Sequence, residues 1–233
     1  MKPENMTLEY VTDYFATQPL SFEPGTAQEY NTVAYDVAAR IIELTSGMPF
    51  GEYLKVNIFD KLGMTDTTFA PTSAQWERFV AVHGRDENGK AFNSPMIEDC
   101  VIGNFPVTYQ AAGAALAGTG EDYMKFAQML LNNGKAADGT QVVSEEMVKL
   151  MATPMVSEKI MPGNQRWGLG VRVFVRDGAL PKGTFGWSGM YGTHFWVDPS
   201  NQITAVYMKN SLYDGGAGAA TANQFERDVM GSF

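Results

Sequence analysis

A serine nucleophile needs a neighbouring base, and the lysine-activated arrangement is Ser-x-x-Lys on one helix. Residues three apart on a helix share a face, so this spacing brings the amine to the hydroxyl. The chain has ten lysines, and Lys2 lies too near the start to be tested. From Lys55 onward the residues three positions earlier are Glu52, Ile58, Glu87, Asp122, Asn132, Glu146, Val156, Ala179 and Val206. None is serine, threonine or cysteine, so these 233 residues contain no Ser-x-x-Lys.

Ser188 lies in the segment most similar to a nucleophile elbow. Gly186-Trp187-Ser188-Gly189-Met190 departs from Gly-x-Ser-x-Gly at its last position, and the segment lies between predicted strands. His194 could act as a base for Ser188, but we predict the two on different parts of a hairpin, with no marked acid partner. Two interpretations stay open: a Ser188 and His194 pair, or a structural serine with a strand histidine.

Composition excludes several other chemistries. A net charge of -9 and a pI near 4.7 would repel phosphate backbones, so we expect no nucleic-acid partner. The single cysteine, Cys100, excludes an internal disulfide, and His83 and His194 lack metal-ligand spacing. We expect no metal and no cofactor. No apolar run is long enough to cross a bilayer, so we expect no membrane partner; the location stays open, with the cytoplasm as the default.

The elements that must position these residues fall into two regions. Apolar periodicity predicts helices over 7–16, 35–45, 50–61, 121–131 and 219–230, and one more capped by Ser144. Strands are predicted over 78–83, 167–175, 184–188, 193–197 and 202–209, with a turn at 87–90. We therefore predict an α+β fold, with a mainly helical region over 6–155, then an antiparallel sheet and a covering C-terminal helix over 165–233.

One pattern extends in order through nearly the whole chain. Its parts are Phe22-Glu23-Pro24-Gly25-Thr26, Glu29-Tyr30-Asn31-Thr32, Tyr35-Asp36, Ile41 to Gly47, Leu62-Gly63-Met64, Ala111-Ala112-Gly113 and Trp167-Gly168-Leu169-Gly170. The pattern resembles the class C β-lactamase and penicillin-binding-protein-like family. This resemblance implies a single β-lactamase/transpeptidase-like domain over 1–233 that lacks its N-terminal portion, where the family carries its Ser-x-x-Lys helix.

Tyr30 matches the tyrosine that, in this family, assists as a base from a Tyr-x-Asn loop. The segment here reads Tyr-Asn-Thr rather than Tyr-Ser-Asn, so the two supporting polar residues differ. A phenol ordinarily ionises near pH 10, and a base role requires a nearby positive charge such as the family's lysine. The resemblance therefore implies a catalytic role for Tyr30 that depends on a lysine not found at the required spacing here.

The segment from Trp187 to Tyr191 corresponds to the family's Lys-Thr-Gly-like triplet on the edge strand. Trp187 replaces the cation that penicillin-recognising members use to bind a carboxylate, which resembles the esterase branch. The resemblance implies that Trp187, Ser188, Gly189 and Tyr191 contact substrate. It also implies that the Met190 backbone N–H is one half of an oxyanion hole.

The resemblance thus implies a serine carboxylesterase or acyltransferase that acts on small acyl esters through an acyl-enzyme, with this chain alone inactive for want of a nucleophile. One alternative is a truncated, non-catalytic protein that binds ligands or partners. A weaker one is a D-Ala-D-Ala carboxypeptidase or β-lactamase, which Trp187 disfavours. We further expect an exposed apolar sheet edge and cleft wall, which a second chain or a homodimer mate would cover.

Overall fold

A computed structural model describes residues 6–93, 108–216 and 218–233; Cys100 lies outside these ranges. The chain forms two compact units. The first comprises Met1–Phe79 with Pro95–Thr119, and the second comprises Val80–Ser94 with Gly120–Phe233. The mixture of helices and an antiparallel sheet confirms the predicted α+β class.

The first unit is helical. Its elements are α1 (Leu8–Ala16), α2 (Val33–Ser46), α3 (Phe50–Leu54), a π-helical turn (Lys55–Phe59), α4 (Asp60–Leu62) and α5 (Ser73–Trp76). Thr7 begins α1, because its hydroxyl accepts the Tyr10 N–H at 3.0 Å. Gly47, at φ 70°, ends α2 in the left-handed conformation that glycine adopts readily. The helices predicted over 7–16 and 35–45 are confirmed to within two residues.

The helix predicted over 50–61 is present, but its middle turn is π-helical. The Asp60 N–H bonds to the Lys55 carbonyl, five residues back, so the helix widens there by one residue. The Lys55 ammonium contacts both Asp60 carboxylate oxygens, at 2.6 and 2.8 Å, across the same wide turn. Nothing in the hydrophobic period indicated this π-helical turn.

Apolar side chains from the start, middle and end of the first unit form its core. The buried members are Leu8, Ala39, Phe50, Phe69, Ala111 and Ala115. The stretch that follows residue 108 therefore returns to pack on α1, α2 and α3, although it is distant in sequence. This return places Ala111-Ala112-Gly113 beside α2.

The second unit contains a β-hairpin, a five-stranded sheet and three helices among its described residues. These are β1 (His83–Arg85), β2 (Ala91–Asn93), α6 (Gly120–Leu131), α7 (Glu145–Met151), β3 (Gln165–Trp167), β4 (Arg172–Phe174), β5 (Phe185–Ser188), β6 (His194–Asp198), β7 (Ile203–Tyr207) and α8 (Ala220–Met230). β3 to β7 pair antiparallel in sequence order, which is the meander that the sequence predicted.

Two strand predictions were wrong. Residues 78–82 form no strand, because the N–H groups of Arg78 and Phe79 continue the turn that follows α5. The strand predicted over 167–175 is two strands, since Gly168 bonds to the Val171 carbonyl in a turn and Gly170 has φ 75°. The two glycines are a local signal for a turn, which the prediction of one continuous strand did not use.

Helices cover both faces of the sheet. Phe195 of β6 contacts the Tyr123 ring of α6, with centroids 5.0 Å apart. Trp196, the next residue, points to the opposite face because side chains alternate along a strand, and it packs with Phe225 and Val229 of α8. The predicted C-terminal covering helix is confirmed, and it fixes which residues of β5 and β6 lie beneath α8.

Candidate functional site

Tyr30 lies in the first unit, in the loop before α2, with 53% of its surface exposed. The Asn31 side chain shapes this loop by accepting the Val33 N–H at 2.8 Å. The loop lies close against Gly113, where an added Cβ would come 2.8 Å from the Thr32 carbonyl oxygen. Burial, and then the nearby Tyr30 phenol, raise the pKa of Tyr35. The loop is thus packed against the rest of the first unit, while the Tyr30 side chain is exposed to solvent.

Asp36, buried on α2, connects this helix to the stretch that follows residue 108. Its carboxylate accepts the Tyr109 hydroxyl at 2.9 Å and the Ala112 N–H at 2.8 Å. Burial raises the pKa of Asp36, and the hydrogen bonds from Tyr109, Ala112 and Gly113 oppose this change. Burial and the Asp36 contact also raise the pKa of Tyr109. The sequence analysis gave Asp36 no role, although Tyr35-Asp36 and Ala111-Ala112-Gly113 both belong to the pattern that pointed to it.

Trp187 lies on β5 in the second unit, half-buried among aromatic and cationic neighbours. Its ring is 4.7 Å from that of Trp167 on β3, and the Arg172 guanidinium of β4 lies 4.8 Å from the Trp187 centroid. Cation–π contact of this kind holds an indole in place. The structure therefore gives Trp187 a fixed, partly exposed surface beside a positive charge.

Met190 follows β5 and is 64% exposed. Within the part of the chain that the structure describes, no backbone or side-chain acceptor takes its N–H. The neighbouring backbone is well tied: the Gly189 N–H bonds to the Thr193 carbonyl at 2.7 Å, and the Gly189 carbonyl accepts from Gly192 at 2.9 Å. The Met190 N–H thus lacks an acceptor among the described residues, on a turn in which the Gly189 N–H and carbonyl are both engaged.

A second segment supports this turn from outside. Gly216 donates to the Gly189 carbonyl at 2.8 Å, and Ser211 donates to the Tyr191 carbonyl at 2.9 Å. Gly215 approaches so closely that an added Cβ would overlap the Met190 carbonyl oxygen. Glycine is needed there for close backbone approach. Trp187, Ser188, Gly189, Met190 and Tyr191 are therefore held together in the second unit, while Tyr30 belongs to the first.

Ser188 and His194 face each other across β5 and β6. The Ser188 Oγ lies 2.8 Å from the His194 Nδ1, and the His194 Nε2 lies 3.1 Å from the Glu226 Oε1 on α8. Ser188 and His194 lie on the two strands of one hairpin, where they are directly opposed in the register. The expectation that no acid partner is present was wrong, because Glu226 comes from a helix later in the chain that packs on the sheet.

The described residues were compared with the requirements of two further kinds of site. Among them, no group of three or more histidine, cysteine, aspartate or glutamate side chains could hold a metal ion. In the same ranges, no helix is long and apolar enough to cross a membrane.

Comparison with known proteins places this geometry in a family. The profile of the Beta-lactamase family matches residues 2–228. The chain belongs to the Beta-lactamase family. Among its relatives in this family, Protein Rv1367c of Mycobacterium tuberculosis (strain ATCC 25618 / H37Rv) is 30% identical over 223 residues, which cover 89% of this chain and 54% of that protein. Esterase EstB of Burkholderia gladioli is 26% identical, over 88% of this chain and 55% of its own length.

Solved structures share the fold of this chain. EstCE1, described as a hydrolase with promiscuous acyltransferase activity, matches with a TM-score of 0.77 and 21% identity, over 97% of this chain and 61% of that one. Unliganded simvastatin synthase LovD of Aspergillus terreus, a selenomethionyl derivative, matches with a TM-score of 0.76 and 18% identity, over 94% of this chain and 59% of that one. The chain spans about half the length of the curated relatives it matches.

Proposed function

We propose that the whole protein is a serine carboxylesterase or acyltransferase that acts on small acyl esters through an acyl-enzyme. This chain supplies its oxyanion donor, its acyl-contacting wall and its tyrosine. The observation that carries the proposal is the Met190 N–H, which has no acceptor among the described residues. It belongs to an exposed residue three positions after a fixed tryptophan.

The Met190 N–H can stabilise the charge that develops on an ester carbonyl oxygen. A donor fixed before reaction costs no reorganisation in the transition state, which is why such groups contribute strongly to catalysis. The turn around Gly189 provides that rigidity. The second donor in this scheme is the nucleophile's own backbone N–H.

Trp187 supports an ester rather than a peptide-carboxylate substrate. Its indole offers an apolar surface on which an acyl or alcohol group can pack, with Gly189 and Tyr191 beside it along the strand end. Ser188 contributes through the backbone of the same segment, because its hydroxyl is directed to His194. The family relatives described as esterases and acyltransferases agree with this substrate class.

Tyr30 is the proposed base or proton carrier. Its exposed position in a loop anchored by Asn31 and Thr32 leaves the phenol accessible to a substrate and to a lysine. We propose that the lysine and the nucleophilic serine come from a Ser-x-x-Lys segment of the whole protein outside these 233 residues. A second chain or the same chain's remaining part would then cover exposed apolar residues of α2, namely Val37, Ile41 and Leu44.

Hydrolysis of p-nitrophenyl acetate and butyrate tests the proposal. The 233-residue chain should give no turnover above a buffer blank, whereas the whole protein should give turnover that is lost when the serine of its Ser-x-x-Lys is changed to alanine. If the whole protein contains no such motif and hydrolyses neither ester, the non-catalytic binding protein is the correct interpretation.

A further inference from the structure

Three polar side chains form a buried array between the sheet and α8. Ser188, His194 and Glu226 are 8%, 8% and 7% exposed, in an interface that otherwise contains large apolar residues such as Trp196 and Phe225. Buried polar groups destabilise a fold unless they are paired, so an array of this kind calls for a structural or functional explanation. It links α8 to the end of β5.

The orientation of the His194 ring defines what the array can do. The Glu226 carboxylate lies 3.1 Å from Nε2, displaced from the line of a hydrogen bond, and it favours the tautomer that carries the proton on Nε2. In that tautomer Nδ1 has a lone pair and accepts the Ser188 hydroxyl proton at 2.8 Å. Glu226 thereby favours the arrangement in which Ser188 donates and His194 accepts.

Burial of the array favours positioning over nucleophilic attack by Ser188. The three side chains border one cavity of about 50 Å³, and each is almost fully buried. An ester attacked by Ser188 would need N–H donors for the oxyanion that forms on its carbonyl oxygen, and the neighbouring Gly189 N–H is taken by the Thr193 carbonyl. The array therefore holds Ser188 rather than activating it.

Ser188 immediately precedes the Gly189 and Met190 turn. The next residue, Gly189, makes the hydrogen bonds that shape the turn through its N–H and its carbonyl. Ser188 is the last residue of β5, and its side chain is held by His194. A rotation of Ser188 would consequently be transmitted to the orientation of the Met190 N–H. Side chains that orient a functional group in this way have measurable effects without touching substrate.

We propose that His194 and Glu226 are positioning residues, which hold Ser188 and through it fix the Met190 N–H in the orientation an oxyanion requires. The importance of Met190 rests on the proposed function, whereas the mechanical link from Glu226 to the turn can be measured in this chain without any turnover.

The polar groups around the His194 ring define the decisive variant. Ser188 on β5, Tyr207 opposite it on β7 and Glu226 on α8 face the ring, and Arg172 of β4 borders the same cavity. Glu226 is the one carboxylate among them, so its replacement tests the array most directly.

Backbone amide NMR of the 233-residue chain tests the link. Glu226→Gln should shift the Gly189 and Met190 amide resonances, because the array that holds Ser188 is changed. His83 is the other histidine of the chain and is exposed, so His83→Asn is the matched control and should leave both resonances in place.

Hydrogen exchange gives the second measurement. His194→Phe should accelerate exchange of the Gly189 and Gly192 amides by about tenfold, while His194→Asn, whose Oδ1 can replace Nδ1 as acceptor, should keep exchange within about threefold of the original. If His194→Phe does not fold, Glu226→Gln and Ser188→Ala are scored instead, with the same expected direction.

Three results would overturn the proposal. One is a pair of Gly189 and Met190 amide resonances that are unchanged in Glu226→Gln; another is equal exchange in the phenylalanine and asparagine variants. The third is an acetyl adduct on Ser188 after treatment with p-nitrophenyl acetate, because that would make Ser188 a nucleophile. An inactive whole protein whose amide resonances and exchange rates respond as expected would instead refute the proposed function alone.

Discussion

The Tyr109 hydroxyl donates a 2.9 Å hydrogen bond to the buried carboxylate of Asp36, and this contact closes the returning stretch onto α2. The same carboxylate accepts the Ala112 N–H. Since Gly113 lies against Thr32, the Asp36 carboxylate contributes to the support of the Tyr30 loop. Tyr30, which the family resemblance pointed to, is thus held in part by a residue that had been given no role.

Asp36→Ala should destabilise the chain by about 2 kcal/mol, because it leaves the Tyr109 hydroxyl and the Ala112 N–H without their acceptor in a buried place. Asp36→Asn keeps an acceptor oxygen and should cost less, and Tyr109→Phe should cost about 1 kcal/mol. Urea denaturation checks all three. Equal midpoints for the alanine and asparagine variants would contradict the role given to the carboxyl oxygens.

Gly215→Ala should displace the Met190 turn, since the added Cβ would overlap the Met190 carbonyl oxygen. Gly216→Ala is the control: it meets open space but has φ 81°, so it should cost about 1–2 kcal/mol of backbone strain without moving the turn. Amide shifts of Met190 and Tyr191 report the difference. If both variants leave these shifts in place, the close approach does not support the turn.

Met190→Pro removes the proposed oxyanion donor. In the whole protein it should lower kcat for p-nitrophenyl butyrate by about 10²–10³-fold, as loss of one such donor does. Met190→Leu keeps the N–H and should lose less than about threefold. A proline variant whose circular dichroism is normal and whose kcat matches the leucine variant would remove Met190 from the oxyanion hole.

Trp187→Ala should lower kcat/KM of the whole protein by about tenfold for the butyrate ester and by less for the acetate. The reason is that a longer acyl chain buries more apolar area against the indole, at about 25 cal/mol per Å². Trp187→Phe preserves an aromatic surface and is the matched control. An equal loss for both esters would show that Trp187 supports the strand rather than the acyl group.

Asp214 should give a pH dependence of stability. Hydrogen bonds from the Thr221 hydroxyl and N–H, and from the Ala220 N–H, hold the pKa of Asp214 well below its usual range. Because the folded-state pKa is lowered, the stabilisation is present above about pH 4 and is lost as pH falls further.

The urea midpoint of the original chain should therefore exceed that of Asp214→Asn at pH 7 and approach it as the pH is lowered below 4. Asp13→Asn, at an exposed position on α1, is the matched control. A difference between the original chain and Asp214→Asn that does not vary with pH would contradict the assignment of these hydrogen bonds to the ionised carboxylate.

Local chemistry made much of the fold predictable. Thr7 and Gly47 mark the ends of helices through interactions within a few residues, and turn residues between short runs predicted β5 to β7. The turn at Gly168 and Gly170 had a local signal too, which the strand pattern around it obscured. The π-helical turn at Lys55 had none.

Contacts that join distant segments could not be predicted in the same way. Glu226 looks like an ordinary acid on an amphipathic helix until α8 packs over His194, and Asp36 looks like a helix first-turn acid until Ala112 reaches it. Tyr30 and the Trp187 to Tyr191 segment were selected by resemblance to the family. The hydrogen bonds that fix them come from tertiary packing, which no sequence period encodes.

The most direct test of the central claim is the position of a covalent label on the whole protein after reaction with a p-nitrophenyl alkylphosphonate. Peptide mass spectrometry should place the phosphonyl group on a serine that is followed three residues later by lysine, outside these 233 residues, with a lower labelling rate in Met190→Pro. Labelling of Ser188, or no labelling of a whole protein that hydrolyses esters, would contradict the account.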